Sequence, residues 1–357
     1  MIDFLVIGGG IAGISAGARL APLGKTIVIE GEDHLAYHSS GRSAALFEET
    51  YGKPTTVALN RASKAYHQTA HGGVLSPRGL LLVGRAGEEQ AFTADQTTMA
   101  LTEISVTDAQ AMIPILDGTT IIMAAYHADA WDIDTDRLIQ NFARDIRHAD
   151  GDVLTGQRVI AIMRTQNGWN ISTPQTTYQA RVVINAAGAW ADHIAQLAGI
   201  APLGLTPLKR SMARLAAPGG YNTSRWPMLF GPGEAWYAKP DVGALLVSPA
   251  DETPMAPHDA YADDMDLALG LDQYQGYVTE PVTRPISSWA GLRTFTPDRG
   301  LALGRAADDP TFIWCAGQGG YGMQTSPAAS ALIADIVGER VPNLDPDVVR
   351  ALNPNRF

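Results

Sequence analysis

Hydrophobic and polar positions fall along this chain in blocks whose period switches between two and roughly 3.6 residues. The first block is an apolar run, Phe4-Leu5-Val6-Ile7, closed by Gly8-Gly9-Gly10-Ile11-Ala12-Gly13. An Ala/Gly/Ser-rich segment runs on to Leu20, and a β-branched run from Thr26 to Ile29 ends on Glu30. This predicts strand, glycine turn, helix and strand. A helical period from Lys53 to Gln68 directs Val57, Leu59 and Ala62 inward, and Leu80 to Val83 reads as a buried strand. Gly87 to Pro114 looks helical, with a helix start at Thr107-Asp108-Ala109-Gln110. Asp134 or Thr135 caps an amphipathic helix to about Ala149, in which Leu138, Phe142 and Ile146 share a face. Short strands are predicted at Val153–Leu154, Val159–Arg164 and Trp169–Ser172. Tyr178 to Ile184 then runs into Asn185-Ala186-Ala187-Gly188-Ala189-Trp190, a strand ending in small residues where the backbone can approach a flat ligand closely.

The middle third differs. Prolines recur from Pro202 to Pro285 between strand-like runs at Met212–Leu215, Ala235–Ala238 and Gly243–Ser248, which predicts an antiparallel sheet with loops. The acidic stretch Asp251 to Asp266 leads into a surface helix through Leu271. Near the end, a strand from Thr311 to Ala316 enters Gly317-Gln318-Gly319-Gly320-Tyr321-Gly322, and a helix runs from Thr325 through Val337. That strand-glycine-helix unit repeats the first one, so one half of the protein is assembled from distant parts of the chain. With 357 residues, two domains are expected.

Composition narrows the function. Hydrophobic residues make up 46% and charged ones 18%, the balance of a globular protein. A net charge of -11 leaves no basic face for nucleic acid. The lone Cys315 excludes an internal disulfide and a multi-cysteine metal site. It fits a reducing compartment, and a cytoplasmic location is expected. The eight histidines show no metal spacing. No apolar run reaches transmembrane length, which leaves peripheral contact with a membrane open. The strongest chemical signal is Gly8-x-Gly10-x-x-Gly13 between strand and helix. The first glycine permits a tight turn, the second a close approach to a pyrophosphate, and the third close packing of helix on strand. The helix N-terminus offers free amides to phosphates, and Glu30, about twenty residues on, suits ribose hydroxyls. The polar segment His38 to Ala45 either returns along such a cofactor or is a surface loop opening a helix at Ser43.

The glycine fingerprint with Glu30, the segment His38 to Ala45, Asn185 to Trp190, Trp289-Ala290-Gly291-Leu292-Arg293, and Gly317 to Gly322 together resemble the D-amino-acid oxidase family of flavoproteins, most of all its D-arginine dehydrogenase branch. The likeness spans essentially the whole chain and includes Leu75-Ser76-Pro77-Arg78, Asp132 to Asp136, and Trp226-Pro227-Met228-Leu229. It implies an α/β, two-domain fold. Residues 1–47, 134–205 and 296–357 would form a Rossmann-like FAD domain, and 48–133 and 206–295 a substrate domain on an antiparallel sheet roofing the flavin. FAD would be held non-covalently. Its contacts would be Gly8, Gly10, Ile11, Ala12, Gly13 and Glu30; Ser39, Gly41, Arg42, Ser43, Ala44 and Ala45; Val159, Ala187, Gly188 and Trp190; and Arg293, Gly319, Gly320, Tyr321, Gly322, Met323 and Gln324.

The same resemblance implies oxidation of a D-amino acid by hydride transfer from its α carbon to flavin N5. The imino acid product would hydrolyse to a 2-oxo acid and ammonia, and a quinone or other acceptor would reoxidise the flavin. Arg293 and Arg210 would hold the substrate carboxylate, as the planar guanidinium fork suits. Tyr51 and Tyr237 would flank the substrate, and the carbonyl of Gly320 would accept its amino group. The side-chain pocket would comprise Leu46, Glu48, Leu80, Met228 and Phe230. Here the chain departs from the branch: Leu80 replaces the glutamate that pairs with a cationic side chain, and Leu46 replaces a histidine. Glu48 and Glu49 stand where the branch has uncharged residues. Neutral apolar D-amino acids are therefore expected over basic ones. A glycine- or sarcosine-type amine oxidase, a tRNA-modifying flavin domain and a non-catalytic flavin-binding protein are the alternatives.

Overall fold

The computed structural model describes residues 1–357. Two large sheets organise it. The first has eight strands, with the parallel strand Ile2–Ile7 between Thr26–Ile29 and Thr177–Asn185. Asp152–Leu154 extends one side. Phe312–Ala316 pairs in parallel with Thr177–Asn185 on the other, and Ala302–Arg305, Ala161–Thr165 and Gly168–Ser172 complete the sheet in antiparallel register. Central strands of this kind are buried on both faces, which explains why Leu5, Val6, Val183, Ile184 and Ile313 are all fully buried. Helices Ile11–Leu20, Thr135–His148 and Gly322–Val337 cover one face. Asp134 caps the second of these by accepting the amide of Arg137, and Leu138, Phe142 and Ile146 are its fully buried stripe.

The second sheet has nine strands, mainly antiparallel. Thr206–Ala216 pairs over residues 206–214 with Ser287–Phe295, and on its other side with Ala244–Ser248 and Thr253–Pro254. Tyr237–Asp241, Met228–Phe230, Leu80–Arg85, Ile121–His127 and Thr102–Ile104 follow in order. Helix Asp264–Gln275 packs on this sheet through Leu267, Gly270 and Tyr274. A small third sheet, in the order Leu46–Glu48, Ala130–Ile133, Leu75–Pro77, joins the two. No helix is long and apolar enough to cross a membrane.

Several local expectations need correction. Ser43 opens no helix, because the chain enters the strand Leu46–Glu48 instead. Gly87 to Pro114 is two helices, Glu89–Thr98 and Val106–Met112, split by the strand Thr102–Ile104. The second starts at Ser105, whose hydroxyl accepts the amide of Asp108. Helix Pro54–Thr69 turns Thr56, Asn60, Ser63 and His67 inward beside Leu59, while Ala62 is exposed. The buried face of that helix is mostly polar, and it packs on helix Gly322–Val337, in which Pro327 lies.

Candidate active site

Two adjoining cavities lie between the sheets. The larger is lined by the glycine turn after the first strand, by Glu30, by Val159 and the run Ala186–Trp190, and by Ser39, Ser40 and Arg42. Gly291 and Leu292 close it from the second sheet. The smaller is lined by Ser43, Ala44, Ala45 and Leu46, by Arg210, Tyr237 and Arg293, and by Gly320 and Gln324. The chain itself passes from one to the other twice, between Arg42 and Ser43 and between Leu292 and Arg293. A long ligand with a nucleotide end and a reacting end fits that layout.

The glycine turn is shaped for such a ligand. Gly8 has φ +116°, a conformation that favours glycine. A Cβ on it would run into the carbonyl of Ala186, and one on Gly13 into the carbonyl of Gly8, so both are needed for close packing of turn, helix and strand. Ile11, Ala12 and Gly13 line neither cavity. The amide of Ile11 is held by the Ser40 hydroxyl at 3.0 Å. Glu30 lines the larger cavity, and its oxygens accept the amides of Gly9 at 2.6 Å and Glu32 at 2.9 Å. Those bonds fix the carboxylate at the cavity wall. His38 lies against Trp190, with ring centroids 4.6 Å apart.

The return segment is tied to the second sheet by its side chains. The Ser39 hydroxyl donates to the carbonyl of Leu292 at 2.5 Å. Arg42 donates to the carbonyls of Ala260 at 2.7 Å and Ala290 at 2.8 Å and pairs with Asp259. Meanwhile the amides of Ser43, Ala44 and Ala45 donate to no protein atom, although they belong to residues lining the smaller cavity. Free amides at a cavity wall are what a flavin-type ring with acceptor atoms along its edge would satisfy. Gly41, Gly319, Tyr321, Gly322 and Met323 do not line either cavity. Gly322 begins the last long helix, Met323 is packed in the core, and the Tyr321 ring sits 5.2 Å from that of Tyr51.

The smaller cavity brings together Tyr51, Arg210, Tyr237, Arg293 and Gly320. Strand Ser287–Phe295 presents Arg293, strand Thr206–Ala216 presents Arg210, and the two strands are paired neighbours. The Arg293 guanidinium makes no hydrogen bond with protein; its Nη1 would be 3.0 Å from a Cβ placed on Gly320. Burial works against this cation, but Tyr237, Tyr51 and Glu234 outweigh it and hold its pKa above the ordinary value. Arg210 is only 8% exposed. It donates to the Asp251 carbonyl at 3.0 Å and to Glu252 at 3.1 Å, leaving Nη1 buried without a partner. Tyr51 donates to Glu234 at 2.9 Å, and burial first, then Glu234, pushes its phenol well above the ordinary range, so it stays a neutral donor.

Leu46, Leu80, Met228 and Phe230 form the apolar wall, with Met99 and Trp236. Glu48 also lines the cavity. Its oxygens accept the amide of Thr50 at 3.1 Å and the Thr50 hydroxyl at 3.0 Å, and burial raises its pKa despite those bonds. Glu49 lines neither of the two cavities and is paired with Lys64 and Arg61. Glu234 and Met99 were not singled out from the sequence. Glu234 sits in a Gly-Pro-Gly turn at φ +52°, outside any periodic pattern that could have pointed to it.

Comparison with known proteins agrees with this layout. The chain is 25% identical to glycine oxidase of Pseudomonas aeruginosa over 96% of each chain. It is 22% identical to FAD-dependent oxidoreductase domain-containing protein 1 of Bos taurus, covering 94% of this chain and 81% of that one. Among solved structures, glycine oxidase of Geobacillus kaustophilus superposes with a TM-score of 0.84 at 21% identity, covering 99% and 98% of the two chains. L-proline dehydrogenase of P. horikoshii superposes at 0.85 and 20% identity, covering 100% and 97%. The sequence model of the FAD dependent oxidoreductase (DAO) family matches residues 3–336, and the chain therefore belongs to that family, with FAD as its cofactor.

Proposed function

We propose that the protein oxidises an amino acid at its α carbon, preferring D-amino acids with neutral apolar side chains. The observation that carries this reading is Arg293: a half-buried guanidinium with no protein hydrogen-bond partner, facing a cavity shared with two tyrosines and an apolar wall. A substrate carboxylate would take the Arg293 fork, with the free Nη1 of Arg210 beside it. Tyr51 and Tyr237 would flank the substrate, and the Gly320 carbonyl would accept its amino group. FAD, held non-covalently in the larger cavity, would accept the hydride. The chain's own contribution is to orient the α carbon and to let the amine lose its proton, so that positioning supplies much of the rate.

Leu80, Met228 and Phe230 favour an apolar side chain, and the Glu48 carboxyl is turned onto Thr50 with its pKa raised, which weakens it as a partner for a cation. The domain division set out from the resemblance is supported by sheet membership. Every strand of the eight-stranded sheet falls in the FAD set and every strand of the nine-stranded sheet in the substrate set. However, Leu59 and Val74 pack in the core beneath the first sheet. A second reading, a glycine- or N-alkyl-glycine-type oxidase, is favoured by the glycine oxidases among the relatives. An anaerobic panel of D- and L-amino acids, glycine, sarcosine and 2-hydroxy acids, followed by flavin bleaching near 450 nm, separates the two. D-leucine, D-methionine or D-phenylalanine should reduce the flavin fastest. Reduction by glycine or sarcosine alone would shift the conclusion to the second reading, and reduction by neither group would end both.

A further inference from the structure

Behind the wall formed by Ala44, Ala45 and Leu46 lies a cluster of charges, Lys239 buried and Arg78 and Asp132 half-buried, that the proposed chemistry leaves unused. Lys239, in strand Tyr237–Asp241, is 9% exposed. Its Nζ donates to the carbonyls of Ala44 at 3.0 Å and Ala45 at 2.8 Å and lies 2.9 Å from Asp132 Oδ1. Arg78 takes the other oxygen of Asp132 through Nε at 2.8 Å and Nη2 at 2.5 Å. Its Nη1 donates to the carbonyls of Ser224 and Trp226, both at 2.8 Å. Two cations thus share one carboxylate, and the cluster carries a formal charge of +1. Lys239 is buried and the pair it meets is half-buried, and a surplus positive charge held there calls for a reason of its own.

The placement supplies one. Tyr237 and Lys239 are two residues apart on one strand and so share a face, with Tyr237 at the cavity. Asp132 is the register partner of Leu46 on one side and Ser76 on the other, which anchors it to the same segment from below. Because a trans peptide is planar with its C=O and N–H opposed, holding the Ala44 carbonyl on Lys239 turns the Ala45 amide away from the ammonium. An ammonium on a carbonyl also polarises the peptide, which makes its N–H a stronger donor. The Ala45 amide is among those that donate to no protein atom.

We infer that Lys239 is a positioning residue for the flavin: with Asp132 and Arg78 it fixes Ala44 and Ala45 so that the Ala45 backbone amide faces the reacting end of the cofactor, and its surplus charge favours the reduced, electron-rich form. This rests on placing that end of FAD in the smaller cavity, and it does not depend on which substrate is oxidised. The test is made on the FAD-loaded protein without substrate, by measuring FAD content, the flavin midpoint potential and the affinity for sulfite. Lys239→Met should retain FAD but show a lower potential and at least tenfold weaker sulfite binding, and Lys239→Arg should recover most of both. Asp132→Asn, which raises the cluster's formal charge to +2, should shift the potential the opposite way. Should Lys239→Met fail to fold, the Asp132→Asn potential decides: an unchanged or lower value overturns the inference. So does a Lys239→Met protein whose potential is unchanged and whose sulfite affinity stays within twofold of the wild type. Loss of the proposed substrate preference alongside the expected shifts in potential and sulfite affinity would bear on the proposed function alone.

Discussion

At the scale of single residues, the site is set by which polar groups have spent their hydrogen bonds and which have not. Arg42, Arg78 and most of Arg210 are committed to carbonyls and carboxylates, whereas Arg293 is not. Removing Arg293 should therefore disturb substrate binding far more than the fold. Arg293→Ala is expected to keep FAD and lose tens- to thousands-fold in kcat/KM, equivalent to roughly 2 to 5 kcal/mol by analogy with truncating one member of a buried charge pair. A change below threefold would remove it as the carboxylate anchor. The apolar wall makes a second prediction. Leu80 is buried against the cavity, so Leu80→Glu should lower activity on D-leucine and raise the kcat/KM ratio of D-arginine to D-leucine by about tenfold or more, the scale of a paired against an unpaired buried cation. Steady-state kinetics on the two substrates reads the ratio directly.

Among the elements, those with a local signature were legible and those shaped by a distant partner were not. The strand-glycine-helix units at both ends could be read because a tight turn and a close approach demand glycine at fixed spacing. In helix Pro54–Thr69 Leu59 was read correctly as inward, but Ala62 was not, and the polar residues Thr56, Asn60, Ser63 and His67 were missed because that face answers to a proline far along the chain. Pro327 interrupts helix Gly322–Val337, since it has no N–H and its ring displaces the preceding turn. The freed groups are taken up from the facing helix: His67 Nε2 donates to the Gln324 carbonyl at 2.9 Å, and the Ser63 hydroxyl accepts the Ala328 amide at 3.1 Å. His67 must carry its proton on Nε2, because its partner is a carbonyl, and Nδ1 is left buried without one. Burial accordingly lowers the His67 pKa from 6.5 to about 4. In the unfolded chain the imidazole takes up its proton first as pH falls, so stability is complete above about pH 6.5 and is lost progressively toward pH 4, by on the order of 3 kcal/mol at the limit. Denaturant midpoints at pH 7.5 and pH 5 should differ more for the wild type than for His67→Gln, which cannot titrate. Equal pH dependence in both would show that the buried imidazole does not govern acid stability.

For the whole molecule, the two sheets were legible as two kinds of pattern, but their seam was not, because it is built from contacts hundreds of residues apart. Ser39 and Arg42 reach strand Ser287–Phe295, and Lys239 reaches back to Ala44 and Ala45. The segment His38 to Leu46 therefore belongs to both halves, and it is also the stretch shared by the two cavities. A cofactor lying along it should strengthen the seam as well as supply chemistry. By mass action, free FAD at a hundred times its dissociation constant adds about 2.7 kcal/mol of stability, which for a chain of this size is several degrees in Tm. The local consequence is sharper. Arg42 is a trypsin site whose side chain is tied to the carbonyls of Tyr37, Ala260 and Ala290, with exposed Gly41 and Ser43 on either side. Cleavage there requires the segment to lift off the second sheet, an opening that a bound cofactor resists and an empty seam permits. Limited trypsin digestion of FAD-depleted protein should cut after Arg42 at least tenfold faster than digestion of the loaded protein, and adding FAD back should restore protection in a saturable way. Equal cleavage of both forms would mean that FAD does not hold the two halves together at this segment, and would place the stabilising contacts on the glycine turn alone.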